Sequence, residues 1–164
     1  MNKIDKKRLD DLYSNNQFKI YYEFLISENE KYNLTSITNK DEVYIKHFYD
    51  SIQLENIINF EKKIDMCDVG SGAGFPSIPL KILYPNINLT IIEPTLKRCN
   101  FLKELCEKLK LENVTIINDR AENIKDLKFD IVTARAVSNL PILLELCIPL
   151  TKGNAYFIAY IIVI

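Results

Sequence analysis

Three of the chain's four glycines fall within five residues, Gly70-Ser71-Gly72-Ala73-Gly74. They follow directly on the mostly apolar run Ile64-Asp65-Met66-Cys67-Asp68-Val69. Glycine is required where the backbone takes positive φ or where another group must approach the main chain closely. A strand, a glycine-rich turn and then a helix open a nucleotide-type cofactor site. Here the spacing is Gly-x-Gly-x-Gly, and Phe75 stands where a dinucleotide fingerprint would place its third glycine. A tight strand–helix turn with no ligand is the alternative reading.

The pattern around that turn predicts an α/β fold. Strands are expected at Ile64–Val69, Leu89–Glu93, Val114–Ile117 and Phe129–Thr133, with helices at Pro76–Leu83, Leu96–Leu109 and Leu140–Leu150 between or after them. Gly153 suits the end of that last helix, and the apolar run Ala155–Ile164 reads as a final buried strand. Alternating strands and helices imply a Rossmann-like, mostly parallel sheet covered on both faces. Before residue 63 only helical spacing is visible: Phe18, Tyr21, Tyr22, Leu25 and Ile26 form one stripe, and Val43, Tyr44, Phe48, Ile52 and Leu54 a second. Asn33-Leu34-Thr35-Ser36 separates them with turn chemistry. The expected organisation is an N-terminal helical extension over 1–62 packed on a core over 63–164.

At 164 residues one domain is the prior. The net charge of −1 excludes strong bulk attraction to nucleic acid or anionic lipid, so any RNA contact must be local. Cys67, Cys99, Cys106 and Cys147 lie in apolar runs without C-x-x-C spacing, which argues against zinc or a disulfide framework and for reduced, buried thiols in a cytosolic protein. The N-terminus carries no signal-peptide core, and no run approaches the ~20 apolar residues of a membrane span.

Ligands of open α/β sheets bind at the carboxyl ends of the strands, where strand order reverses. The sequence places four groups there. Gly70–Gly74 follow the first strand. Glu93 ends the second, 23 positions after Gly70, an offset suited to an acid that accepts hydrogen bonds from ribose hydroxyls. Asp119-Arg120-Ala121-Glu122 follow the third, where backbone groups can read an adenine edge or simply form a charged loop. Thr133-Ala134-Arg135-Ala136 follow the fourth, where Arg135 can clamp an anion or make an ordinary ion pair. His47, the only histidine, has no nucleophile elbow to serve and reads as structural or substrate-adjacent. No P-loop is present.

With these residues in place, the chain resembles the class I S-adenosylmethionine-dependent methyltransferases, and within them the bacterial 16S ribosomal RNA guanine-N7 methyltransferase family, also called glucose-inhibited division protein B. The resemblance is carried by Asn33-Leu34-Thr35-Ser36, His47-Phe48-Tyr49-Asp50-Ser51, Asp68 through Pro79, Lys97-Arg98 with Phe101-Leu102, Asp119 through Glu122 and Thr133 through Val137. It implies S-adenosylmethionine as cofactor, with Gly70, Gly72, Gly74, Phe75, Glu93, Ala121, Glu122 and Arg135 as contacts, no metal, and 16S rRNA or the small ribosomal subunit as partner of a cytoplasmic monomer. Glu93 stands where the family more often carries Asp. No catalytic residue is assigned, because guanine N7 has a free lone pair and no proton to lose, so alignment and electrostatics suffice. Arg135 and the N-terminal segment are expected to help place the guanine. Lys97, Arg98 and Lys103, or Lys6-Lys7-Arg8, are candidates for RNA phosphates, with a solvated helix face as the equal alternative.

Family members continue beyond the fifth strand, whereas Phe157-Ile158-Ala159-Tyr160 here runs into Ile161–Ile164 and stops. The resemblance thus implies a sheet lacking its final two strands. The competing readings are an inactive cofactor-binding remnant, a small-molecule methyltransferase and a nicotinamide-dependent oxidoreductase; Phe75 argues against the last, and the N-terminal extension and Ala-Arg-Ala against the one before it.

Overall fold

The computed structural model describes residues 4–135 and 139–160. Ala136 and Val137 of the Ala-Arg-Ala-Val stretch and the tail 161–164 lie outside the described residues.

Helices α1 (Lys6–Ser14) and α2 (Asn16–Tyr32) are joined by Asn15, which ends the first and caps the second by accepting from the Gln17 N–H at 2.8 Å. Asn33 closes α2 in the left-handed conformation that asparagine tolerates. The Asn29 side chain then builds the expected turn, its Oδ1 accepting from the Leu34 and Thr35 N–H groups. Where the spacing predicts one amphipathic helix from Asp41, the structure has a short α3 (Lys40–Val43), a wide π-helical turn (Tyr44–Tyr49) and α4 (Asp50–Ile52). The physical reason lies in the stripe Tyr44, Phe48, Ile52. It advances four residues per turn instead of 3.6, and a wider turn keeps all three buried on one face.

The core alternates as expected: β1 (Ile64–Val69), α5 (Ser77–Leu83), β2 (Ile87–Ile92), α6 (Leu96–Lys108), β3 (Val114–Ile117), β4 (Phe129–Arg135), α7 (Leu140–Cys147) and β5 (Thr151–Tyr160). All four strand pairings are parallel, in the order β3-β2-β1-β4-β5. The order reverses at β1, whose Asp68 is in register with Ile91 on one side and Thr133 on the other. Residues of β1 alternate between two clusters. Met66 joins Leu12, Phe18, Tyr21 and Phe48 of the N-terminal helices with Ile78 and Phe101. Cys67 and Val69 join Val132, Ala134, Leu143 and Cys147 on the other face. All four thiols are free and buried.

Two expectations for the C-terminal part are corrected. The helix ends at Cys147 and tightens into a 3-10 turn, Ile148–Leu150, because Pro149 has no N–H for an α-helical bond. Gly153 is therefore not a helix end; it lies inside β5, where the register against β4 shifts so that Phe129 faces Thr151 but Ile131 faces Tyr156. Nor is β5 a fully buried strand. Among the described residues it pairs only with β4 and is half-exposed.

The basic residues divide. Arg8 is not free for phosphate: its guanidinium grips Glu55 through two hydrogen bonds of 2.8 and 2.6 Å, and Tyr84 donates to the same carboxylate. Lys97 and Lys103 remain exposed. Lys81, which the pattern did not single out, is almost fully buried; its ammonium donates to the carbonyls of Pro85 and Ile87 and fixes the turn from α5 into β2. Burial lowers its pKa. Lys81→Met is expected to cost about 1–3 kcal/mol, because two carbonyls lose their donor. Urea unfolding would check this, and an unchanged midpoint would mean that water meets both carbonyls.

Candidate functional site at the strand-order reversal

The carboxyl ends of β1, β2, β3 and β4 open into a cavity of about 1500 Å³. The Gly70, Gly72, Phe75, Glu93, Ala121, Glu122 and Arg135 singled out by sequence all line it. Gly74 does not line it; it is buried in the turn behind.

The turn is anchored at three points. The Gly70 N–H donates to the Ile92 carbonyl at 2.8 Å, and the Gly74 N–H to that of Ser71 at 2.9 Å. From below, the buried Tyr21 hydroxyl donates to the Ala73 carbonyl at 2.6 Å, so α2 holds the glycine turn directly. Gly72 has φ +59°, and a Cβ there would meet nothing within 4 Å; Gly74 has φ +100°, and a Cβ would lie 2.7 Å from the Tyr21 hydroxyl. The first glycine keeps space open, and the second permits close packing.

Beneath the turn, the fully buried Asp68 carboxylate accepts from Ser77 Oγ at 2.5 Å and Thr133 Oγ1 at 2.9 Å. Burial pushes its pKa up to about 6 against the pull of these hydrogen bonds. Glu93 has a different task. Its Oε2 accepts from the Gly72 N–H at 3.1 Å and its Oε1 from the Thr95 N–H at 3.0 Å. The side chain thereby bridges the glycine turn and the β2–α6 loop. Arg98 lies 4.0 Å from the same carboxylate and lines the cavity, with about two fifths of its side chain exposed. Ala121 is buried in the wall, whereas Glu122 is exposed beside Arg120.

A second half of the cavity is built by the N-terminal elements. The π-helical turn presents His47, whose ring stacks on Phe75 with centroids 4.5 Å apart. His47 Nε2 lies 2.9 Å from Thr35 Oγ1. Burial, and next the Arg135 charge, push the imidazole down to about 4, so it is neutral at pH 7. Arg135 reaches over from β4 to donate through Nη2 to the Lys46 carbonyl at 2.9 Å and to pair with Asp50 at 3.2 Å. Its guanidinium sits between the rings of Phe75 and Tyr160, 5.9 and 5.8 Å from their centroids. Tyr160 in turn donates to the Ser51 carbonyl at 3.0 Å. Arg135 and Phe75 therefore stand where the two halves meet.

Spacing gave Thr35, Asp50 and Tyr160 no role, although all three line the cavity. They lie far apart in the chain, and no local pattern joins them. The signal for Thr35 and Asp50 was their place in stretches that carry the family resemblance.

Comparison with known proteins places this geometry. Residues 14–161 match the family described as rRNA small subunit methyltransferase G. Curated relatives of that name include those of Bacillus subtilis, 53% identical over 148 residues (87% of this chain, 62% of the relative), and Staphylococcus saprophyticus, 52% identical over 147 residues (87% and 62%). That of Aster yellows witches'-broom phytoplasma is 49% identical over 160 residues (96% and 73%). The chain thus spans somewhat under two thirds of the length of the first two. Among solved structures, a SAM-dependent methyltransferase from Thiobacillus denitrificans in complex with S-adenosyl-L-homocysteine superposes with a TM-score of 0.61 at 17% identity, over 83% of this chain and 53% of that one. Coclaurine N-methyltransferase gives 0.62 at 16%, over 78% and 39%. The fold is therefore that of class I methyltransferases, and by sequence the chain belongs to the rRNA small subunit methyltransferase G family.

Proposed function

We propose that this chain carries the S-adenosylmethionine site of an enzyme that methylates N7 of a guanine in the 16S rRNA of the small ribosomal subunit. The observation that carries the reading is the two-part cavity at the strand-order reversal. One half has the features of a nucleoside pocket, and the other is a separate aromatic and polar chamber that meets it at Phe75 and Arg135.

The residues suit the cofactor. Gly72 leaves open space beside the turn. Each oxygen of the Glu93 carboxylate has one backbone donor, at Gly72 or Thr95, and keeps lone-pair capacity for a ribose hydroxyl. Glu93 stands where the family more often carries aspartate, and its carboxylate reaches the Gly72 N–H. Ala121 and Glu122 form the far wall for the adenine, and Gly70 and Gly74 shape the turn. When bound, S-adenosylmethionine would supply an electrophilic methyl to the N7 lone pair, its S–C electron pair remaining on sulfur and the positive charge passing to the base. The chain's own residues then need only align the base and exclude water. Arg135 with Asp50, neutral His47 and the Phe75 ring do this without a general base. Lys97 and Lys103 remain candidates for RNA phosphates.

Thermal unfolding with and without S-adenosylhomocysteine tests the cofactor site. At about 100 times its dissociation constant the ligand should stabilise the fold by about 2.7 kcal/mol, raising the midpoint by roughly 5–10 °C. A cooperative transition indifferent to saturating ligand would sink the assignment. Transfer of labelled methyl to small ribosomal subunits, followed by nuclease digestion and identification of 7-methylguanosine, tests the substrate.

A further inference from the structure

Ile57 is the most exposed large apolar side chain among the described residues, at 75%, and it lines the cavity. Single apolar residues on a surface are ordinary. Ile57 differs in three respects. It ends the run that continues from His47 and Asp50 through Gln53 and Asn56, and all of these line the cavity. It is also held firmly. The N–H groups of Ile57 and Ile58 both donate to the carbonyl of buried Leu54, at 3.1 and 2.9 Å. Between them and the π-helical turn, Glu55 is gripped by Arg8 and Tyr84. Finally, Ile57 has a counterpart. The exposed Ile4 lines the same cavity, and the N–H of the next residue, Asp5, donates to the Tyr49 hydroxyl at 2.8 Å. Two isoleucines from separate segments are thus fixed to one lip of the chamber.

The charges around this lip are suited to a nucleotide. Gln53 and Asn56 are amides, able to meet a base edge from either side of a hydrogen bond. The Asp5 carboxylate is used as the cap of α1, and that of Glu55 is matched by Arg8. Directly after Asp5 come the exposed Lys6 and Lys7, placed for a phosphate. An apolar face, amides and flanking cations are what one base, its edge and its backbone require.

The chemistry of the target asks for such a ledge. In an RNA helix N7 lies in the deep, narrow groove that side chains do not read. A guanine that enters the chamber must therefore leave its stack, which uncovers the face of the next base. We infer that Ile57, with Ile4, is a ledge that covers the face of the nucleotide next to the target guanine, an assignment that rests on the N7-methylation reading above. Apolar side chains take the place of a lost base neighbour in this way elsewhere. The ledge offsets the lost stacking and holds the neighbour outside while the guanine enters.

A ring current reports such a contact directly. The full chain, carrying carbon-13 at its isoleucine δ1 methyls and saturated with S-adenosylhomocysteine, would be titrated with guanosine 5′-monophosphate and, in parallel, with the trinucleotide adenylyl-guanylyl-adenosine. Loss of one signal in Ile57→Leu assigns the methyl. The expected result is an Ile57 methyl that moves upfield with the trinucleotide and stays in place with the mononucleotide. Ile57→Ser should weaken the trinucleotide about tenfold, as loss of one buried isoleucine contact would give. It should leave the mononucleotide unaffected, and Ile57→Leu should keep the trinucleotide affinity. A methyl that ignores the trinucleotide, or moves equally with both ligands, overturns the ledge, and so does an Ile57→Ser chain that binds the trinucleotide as the parent does. If neither ligand moves the His47 or Phe75 resonances while the Gly72 amide responds to S-adenosylhomocysteine, the guanine reading falls and the ledge with it. A Gly72 amide that ignores S-adenosylhomocysteine would instead overturn the cofactor reading, so the failures are distinguishable.

Discussion

Gly74→Ala is expected to destabilise the chain by about 3 kcal/mol, the sum of about 1–2 kcal/mol for a left-handed backbone at a residue with a Cβ and about 1–3 kcal/mol for overpacking. The new methyl would lie 2.7 Å from the Tyr21 hydroxyl and 2.8 Å from Cγ1 of Ile78. Neither neighbour yields cheaply. Tyr21 is fully buried and committed to the Ala73 carbonyl, and Ile78 is fully buried in the first turn of α5. Relief of the clash therefore breaks the bond that ties α2 to the glycine turn, and S-adenosylhomocysteine affinity should fall with stability. Gly72→Ala separates the two effects. Its methyl meets no protein atom, so it costs only the backbone strain, about 1 kcal/mol. The methyl would nevertheless occupy space beside the cavity that Gly72 lines. We expect the urea midpoint to fall by only about a third as much as in Gly74→Ala, with affinity lowered at least about tenfold, as one misplaced contact of about 1.4 kcal/mol would give. Urea melts and calorimetric titration of both variants check this. Equal stability of Gly74→Ala and the parent chain would contradict the packing account; an unaltered affinity in Gly72→Ala would contradict the site.

The stability of the parent chain relative to Asp68→Asn should fall by about 2.4 kcal/mol between pH 4 and pH 7. The sign follows from the direction of the shift. Burial lifts the folded-state pKa of Asp68 from 3.8 to about 6, so the folded chain holds this proton more tightly than the unfolded chain does. The resulting stabilisation is complete below the unfolded value and is lost as pH rises through the folded one. The slope is at most about 1.36 kcal/mol per pH unit between the two values, about 3 kcal/mol in all, of which about 2.4 kcal/mol is lost between pH 4 and pH 7. Asparagine carries no charge at either pH, and the Ser77 and Thr133 hydroxyls can rotate to meet its amide. Denaturant titrations of both proteins at pH 4, 5.5 and 7 measure the difference. Parallel curves would mean that Asp68 keeps enough hydration to ionise normally. The consequence reaches the site, because Ser77 opens α5 directly after the glycine turn, and the charge of Asp68 decides how firmly that helix start is held.

The α/β alternation, the two buried stripes of the N-terminal helices and the glycine turn with its acid at the end of β2 are all legible in the amino-acid order. These are local or periodic facts. An apolar residue every second position makes a strand, and a cluster of glycines after it makes a turn that nothing bulkier can follow. The edges were less legible, as Gly153 and the C-terminal end of α7 show, because a register shift against β4 and a missing proline N–H depend on the neighbouring strand and on the helix ladder. Tertiary packing alone makes the chamber. It brings Thr35, His47 and Asp50, from before the first strand, to Arg135 at the end of β4 and Tyr160 at the end of β5. It also gives Arg8 to Glu55 and turns Arg98 toward Glu93. The reason is physical: a side chain's partner across a fold is set by the packing of whole elements, and neither spacing nor composition encodes the distance between residues 35 and 135 until the sheet has formed.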